Sequence, residues 1–295
     1  MALPDDFDLD DFVRRVLAED LGTGGDVTSA ATIPAEARFT ATMNCREPIV
    51  AAGLEIAAGF FRALDPAVEI ERLASDGDAL PSGATLMRLQ GNARAMLAAE
   101  RSALNTLQHL SGIATLTRRY VEAIAGAGAT LLDTRKTLPG LRVLEKYAAR
   151  TGGAENHRMR LDDGVLIKDN HVAVCGGVAE AVRRAKAANI GLPVQVEVDR
   201  IEQIEPALAA GADRLLLDNM PPPVLREAVA LVAGRVPLEA SGGVTLETVR
   251  GIAETGVDYI SVGRITQSAP AVDIGLDYSQ ANPKSGTPSA ERSAP

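Results

Sequence analysis

Cysteine occurs only twice in the 295-residue chain, at Cys45 and Cys175, and histidine three times, at His109, His157 and His171. Two separated cysteines give neither a CxxC motif nor a disulfide framework. The histidines form no HxxxH pattern that would hold zinc. Long apolar runs are missing, so no segment is suited to spanning a bilayer. Positive charge is in deficit: the formal net charge is -9, which argues against general binding to nucleic acid or to an anionic membrane. A P-loop is also absent. "GAGAT" at 126–130 has two glycines, but it precedes a strand and lacks the third glycine of a dinucleotide fingerprint. The start, "MALPDDFDLDDF", is too acidic for a signal or transit peptide. A cytoplasmic protein that binds neither nucleic acid nor membrane is the expectation.

What is present supports a sizeable core. Hydrophobic residues make up 46% of the chain and charged residues 23%, enough for one large domain or two smaller ones. Residues 1–110 read as mixed structure. "DLDDFVRRVLAEDLG" predicts a helix with Asp8 as N-cap and Gly22 as stop. "RFTATMNC" alternates like a half-buried strand, "GLEIAAGFFRAL" has helical spacing, and "GATLMRLQG" is strand-like. "ARAMLAAERSALNTLQHL" is a strong helix, rich in alanine and leucine.

From about residue 130 a regular pattern begins. Apolar strands at "TLLDTR", "GVLIKDN", "VQVEVD", "RLLLDN", "PLEASGG" and "YISVGR" alternate with helical segments. Near-continuous apolar strands imply a parallel sheet covered on both faces. The steady repeat favours an α/β barrel over an open doubly wound sheet. Six strands are obvious, and a further one is expected near "NHRMRL". The tail, 282–295, is rich in proline and serine and is expected to be disordered.

Barrels present their active sites at the C-terminal ends of the strands. Lys168, Glu197, Asp218, Ser241 and Gly263 recur there at intervals of about 21–29 residues. "DTRKT" adds Arg135 and Lys136, and "NHR" adds His157 and Arg158. Glycines at Gly242, Gly243 and Gly263 let backbone N–H groups approach an anion closely. Two carboxylates without histidine or cysteine partners suit Mg²⁺ or sugar hydroxyls rather than zinc. Singly, each residue has an ordinary reading. Arg135 and Lys136 fit a solvated loop, Lys168 fits a pair with Asp169, and Glu197 fits a buried ion pair with a lysine. Asp218 fits a turn cap, Ser241 a helix cap, Gly263 a turn, and His157 a plain polar histidine. Arg101 lies among leucines on one helix face, where arginine commonly snorkels; the alternative is a projection into a neighbouring subunit. The set is harder to dismiss than its members, because all would meet at one rim.

The chain resembles the quinolinate phosphoribosyltransferase family, the carboxylating nicotinate-nucleotide pyrophosphorylases. The blocks that carry the resemblance include "EDLGTGGDVTS", "AERSALNTLQHLSGIATLT", "DTRKTLPGLRVLEKYAARTGGAENHRM", "DGVLIKDNH", "EASGGV" and "VDYISVG". They run in order over almost the whole chain except the tail.

The resemblance implies an α/β fold, with an N-terminal α/β sandwich domain and an incomplete, seven-stranded α/β barrel. The sandwich would span 1–111, joined by part of 270–281, and the catalytic barrel 112–269. A homodimer or higher oligomer with shared active sites is implied. The implied reaction transfers phosphoribosyl from phosphoribosyl pyrophosphate to quinolinate with loss of CO₂, in NAD biosynthesis. By resemblance, Arg135, His157, Arg158 and Lys168 surround quinolinate, with Arg101 supplied by the partner subunit. Lys136 assists the phosphorylated substrate, Glu197 and Asp218 hold Mg²⁺ and ribose hydroxyls, and Ser241, Gly242, Gly243 and Gly263 cradle the 5-phosphate. Lys136, Lys168, Glu197 and Asp218 are the implied catalytic set. The family usually has glycine at the place of Arg160, and often "GALTHS" where this chain reads "GRITQS", with Arg264 and Gln267. A transferase for another pyridine acid and a non-catalytic phosphate-sensing or scaffold protein on the same barrel are the alternative readings.

Overall fold

The computed structural model describes residues 3–4 and 7–279; the 282–295 tail expected to be disordered lies outside them. The first helix, Leu9–Leu21, starts where predicted: the Asp8 carboxylate accepts from the Asp11 amide at 2.9 Å, and Gly22 ends the helix. The N-terminal strands are β1 (Arg38–Cys45), β2 (Ile49–Val50), β3 (Glu69–Arg72), β4 (Ala79–Leu80) and β5 (Thr85–Asn92). The predicted "GLEIAAGFFRAL" helix forms as Leu54–Leu64 and buries Phe60 and Phe61.

The parallel strands are β6 (Thr130–Leu132), β7 (Val165–Ile167), β8 (Val194–Val198), β9 (Arg214–Asp218), β10 (Leu238–Ser241) and β11 (Tyr259–Ser261). Their order is β6-β11-β10-β9-β8-β7. The six strands predicted from the repeat are all present. A single parallel bridge, Leu132 with Glu155, continues the sheet beyond β6. There the Glu155 amide donates to Leu131 O at 2.9 Å, and the Asp133 amide donates to Glu155 O at 3.1 Å. The strand expected near "NHRMRL" is thus one bridging residue just before it. This barrel-like sheet is open between β7 and Glu155.

The chain then returns as β12 (Ile274–Ser279), which pairs antiparallel with β1. The N-terminal sheet therefore has the order β12-β1-β5-β3, with β2 and β4 as a separate pair. The return passes over the long helix Ala93–Ala123 at Gly112, where any Cβ would lie 2.1 Å from the Pro270 carbonyl oxygen. Only glycine allows that approach. Gln108, one turn earlier, holds the same segment: its side-chain amide donates to Ile274 O at 2.7 Å, and its carbonyl accepts from the Val272 amide at 3.2 Å. No helix of the described residues is long and apolar enough to cross a membrane.

Candidate active site

The parallel strands end in a cavity of about 810 Å³. The loop after β6 supplies Arg135 and Lys136, and the segment after Glu155 supplies His157 and Arg158. Lys168 follows β7, Glu197 lies in β8, and Asp218 ends β9. Ser241 ends β10 and leads into Gly242 and Gly243, while Gly263 follows β11. Every predicted site residue except Arg101 lines this one space. Arg101 is exposed on the long helix, away from the cavity of its own chain.

The cationic side rests on buried ionic supports. Asp133 is 0% exposed and is not a rim charge. Its carboxylate forms an ion pair with the fully buried Lys146 and accepts from the Asn156 amide at 2.6 Å and the His157 backbone N–H at 2.8 Å. Burial pushes the Asp133 carboxyl up and the Lys146 ammonium down, each against the attraction of the other. Asp133 thereby ties the "DTRKT" loop to the "NHR" segment. Glu145, the neighbour of Lys146, accepts from the Leu138 amide at 3.1 Å and meets His109 Nε2 of the long helix at 2.9 Å. Two adjacent buried charges on one helix thus fix both sides of the Arg135–Lys136 turn.

The cations above are under-compensated. Burial first, and then the neighbouring Arg135, push the Arg158 guanidinium below its ordinary value. Arg158 Nη1 donates to Gly164 O at 2.9 Å, but Arg135 Nε is buried with no hydrogen-bond partner. The Lys136 ammonium makes no hydrogen bond or ion pair among the described residues. Such a cluster is arranged to receive anions.

The carboxylates face them. Lys168 pairs with Glu197 across β7 and β8, not with its neighbour Asp169. Burial and the adjacent Glu197 raise the Asp218 carboxyl, against the Asn219 amide, Lys168 and Lys136. Asn219 has a left-handed φ of 55° and donates its side-chain amide to Asp218 at 2.6 Å. It lies so close to Gly242 that a Cβ there would sit 2.2 Å from Asn219 Oδ1. Likewise a Cβ on Gly263 would sit 2.7 Å from Lys136 Cδ. These glycines make room for working side chains as well as exposing backbone.

Glu239 on β10, fully buried in the cavity floor, was not foreseen from the sequence. Gln195 donates to it at 2.7 Å, and His157 Nε2 lies 3.3 Å from it. Burial raises its carboxyl, but interactions with His157, Gln195 and Ser261 outweigh this and leave it below its ordinary value. His157 Nδ1 accepts from the Arg158 backbone N–H at 2.8 Å, which leaves the proton of the neutral ring on Nε2, facing Glu239. Alternation between buried Leu238 and Ala240 was the available signal for an inward acid. Arg160 lies outside the cavity: its guanidinium pairs with exposed Asp162.

Sequence comparison covers both halves of this architecture. The C-terminal domain of quinolinate phosphoribosyl transferase matches residues 113–277, and the N-terminal domain of that family matches residues 26–111. The chain belongs to the quinolinate phosphoribosyltransferase family. A carboxylating nicotinate-nucleotide pyrophosphorylase from Mycobacterium leprae is 46% identical over 275 residues, covering 90% of this chain and 96% of its own. The structure of the nicotinate-nucleotide pyrophosphorylase from Francisella tularensis has a TM-score of 0.89 at 41% identity, covering 94% of this chain and 98% of its own. The corresponding Ehrlichia chaffeensis structure has a TM-score of 0.90 at 40% identity, covering 93% and 100%. Within this family frame, the N-terminal antiparallel sheet and the barrel-like parallel sheet are the expected pair.

Proposed function

We propose that the cavity binds quinolinate on its cationic side and phosphoribosyl pyrophosphate across its carboxylates and glycines. The enzyme is a decarboxylating quinolinate phosphoribosyltransferase that forms nicotinate mononucleotide in NAD biosynthesis. The observation that carries the placement is the under-compensated group of Arg135, Lys136 and Arg158 facing the Asp218–Glu197 pair across one cavity.

The chemistry suits these side chains. The pyridine nitrogen forms a bond to the anomeric carbon as the bond to pyrophosphate breaks. Lys136 stabilises the departing charge, and Glu197 and Asp218 face the positive charge developing on the ribose. The new pyridinium nitrogen is then an electron sink. The C2–carboxylate bond breaks, CO₂ leaves, and the electron pair at C2 takes a proton. Arg135, His157, Arg158 and Lys168 hold the diacid, and only its 2-carboxylate, on the carbon beside the ring nitrogen, is lost. Ser241, Gly242, Gly243 and Gly263 receive the 5-phosphate.

Magnesium fits the donor set. Among the described residues no cluster of three or more His, Cys, Asp or Glu is placed to hold a metal by itself. Two carboxylates beside a phosphate site suit a hard cation that keeps water and substrate ligands. Glu197 and Asp218 would hold it, and bound there it would offset charge on the pyrophosphate. The same reading divides the chain into a sandwich domain, 1–111 with part of 270–281, and a catalytic barrel domain, 112–269. A cytoplasmic location is part of the same proposal.

Asp218→Asn tests the carboxylate assignment. A raised carboxyl stabilises the fold below the ordinary carboxylate range and loses that contribution as pH rises through its raised value. At neutral pH the Asp218 charge therefore works against the fold. The variant is expected to melt about 1–3 °C higher without ligand. Calorimetry should show Mg²⁺-dependent phosphoribosyl pyrophosphate binding weakened at least about tenfold, with quinolinate binding retained. Weakened quinolinate binding with intact donor binding would reverse the assignment.

Arg101 is assigned to the partner subunit's cavity in a homodimer, which its exposure and its absence from the lining of its own chain's cavity support. Mixing inactive Arg101→Ala and Lys168→Ala subunits is expected to restore activity, because one site of each heterodimer then carries both side chains. No recovery in a verified heterodimer would place Arg101 outside the site.

A further inference from the structure

Arg264, one of the departures from the family pattern seen in the sequence, stands at the cavity. It opens the short helix Arg264–Gln267, directly after Gly263, and its exposed side chain lines the cavity. Its guanidinium makes no hydrogen bond or ion pair among the described residues. A side recess of about 240 Å³ adjoins the cavity, and Arg264 and Thr245 line both spaces. The recess also holds Glu247. The Thr245 hydroxyl and its own backbone amide hold the Glu247 carboxyl below its ordinary range, and Arg264 and Arg119 add to this from a distance. No ion pair joins Glu247 to Arg264 among the described residues, so the guanidinium stays available to the cavity.

The neighbouring wall suits a phosphate. Gly242 and Gly243 turn with φ of 94° and 62°, and a Cβ added at Gly243 would meet nothing within 4 Å. The backbone there is open to the cavity. The stem of Lys136, whose ammonium is also unpaired, lies against Gly263. Two unpaired cations thus converge on Gly263, beside an open glycine turn. A planar guanidinium grips phosphate oxygens with two parallel N–H bonds, which a lysine cannot do.

We propose that Arg264 is a further binding residue for the phosphoribosyl donor, and that it grips the 5-phosphate ester rather than the pyrophosphate or the pyridine acid. This rests on the reading that the glycine rim receives the 5-phosphate. A charge-assisted contact of this kind predicts that Arg264→Ala raises the KM for phosphoribosyl pyrophosphate about tenfold to hundredfold. The KM for quinolinate stays within about twofold. Arg264→Lys keeps the charge and loses the fork, so it falls between wild type and the alanine variant.

Calorimetry with ribose 5-phosphate and with inorganic pyrophosphate as separate probes locates the contact. Arg264→Ala should weaken ribose 5-phosphate by the factor seen in KM and leave pyrophosphate largely unaffected. Unchanged binding of ribose 5-phosphate, or a loss that falls on pyrophosphate or quinolinate, would overturn the proposal. Gly263→Val distinguishes loss of the glycine rim from loss of Arg264. If it spares ribose 5-phosphate binding, the glycine rim does not receive the 5-phosphate, and the assignment of Arg264 falls with it. If it abolishes binding while Arg264→Ala does not, the rim stands and Arg264 alone is excluded. Melting curves of each variant confirm folding, and Arg264→Lys carries the test should the alanine variant fail to fold.

Discussion

Asp133→Ala is expected to destabilise the fold by about 3–5 kcal/mol and to inactivate the enzyme. The substitution strands the Lys146 ammonium, which is 0% exposed, in the core without its counter-ion. It also removes the acceptor for the Asn156 amide and the His157 backbone N–H. For a chain of this size the melting temperature would fall by roughly 10 °C. Activity should fall further than stability explains, because the same carboxylate sets the position of His157 relative to Arg135. A second variant isolates the charge. Asp133→Asn combined with Lys146→Met removes both charges and keeps an amide at residue 133, so most of the lost stability should return. Thermal and urea melts of the three proteins read this out. An alanine variant within about 1 kcal/mol of wild type would mean that Asp133 is not a buried anchor.

The second large effect concerns substrate choice. Nicotinate lacks the 2-carboxylate of quinolinate, so it would leave part of the Arg135, Arg158 and Lys168 group unanswered. Arg135 Nε is already buried without a partner, and Arg158 is already pushed down by burial and by Arg135. Leaving a buried charge unpaired costs about 2–5 kcal/mol. The kcat/KM for nicotinate should therefore be at least about thirtyfold lower than for quinolinate. Side-by-side kinetics decide this, and equal efficiency would mean that the pocket does not read a diacid. Arg160 does not enter the comparison, since its guanidinium is engaged outside the cavity by Asp162.

The rim of the site was legible because β/α repetition is a strong local signal. An apolar strand followed by a polar residue, at a regular spacing, marks the C-terminal end of a barrel strand wherever it occurs. That is why Lys168, Glu197, Asp218, Ser241 and Gly263 could be assembled into one ring before any contact was known. The supports beneath them were not legible, because long-range pairs carry no local pattern. Asp133 reads as the first of three loop charges, and only Lys146, thirteen residues later, draws it inward. Glu145 and Lys146 read as a polar patch on an amphipathic helix. Both are buried because that helix is covered on two sides, by the sheet through Asp133 and by the long helix through His109.

The long helix shows the opposite case. Its sequence after residue 110, "SGIATLTRRYVEA", contains glycine, serine and threonine, which favour a stop. Tertiary packing overrides that preference. Gly112 admits the return segment, and Gly152 of the neighbouring helix would place a Cβ 2.5 Å from the Ala114 carbonyl oxygen. The small residues that weaken the helix locally are those that let the two halves of the molecule close on it.

The carboxylate that is lost reports on the reaction itself. Quinolinate carrying a label in its 2-carboxyl group is incubated with the enzyme, phosphoribosyl pyrophosphate and Mg²⁺. Label should leave as CO₂ in one-to-one proportion with nicotinate mononucleotide and pyrophosphate, with no release when the phosphoribosyl donor is omitted. Retention of the label in the nucleotide product, or release of CO₂ without the donor, would contradict a reaction in which ribosylation of the ring nitrogen drives decarboxylation.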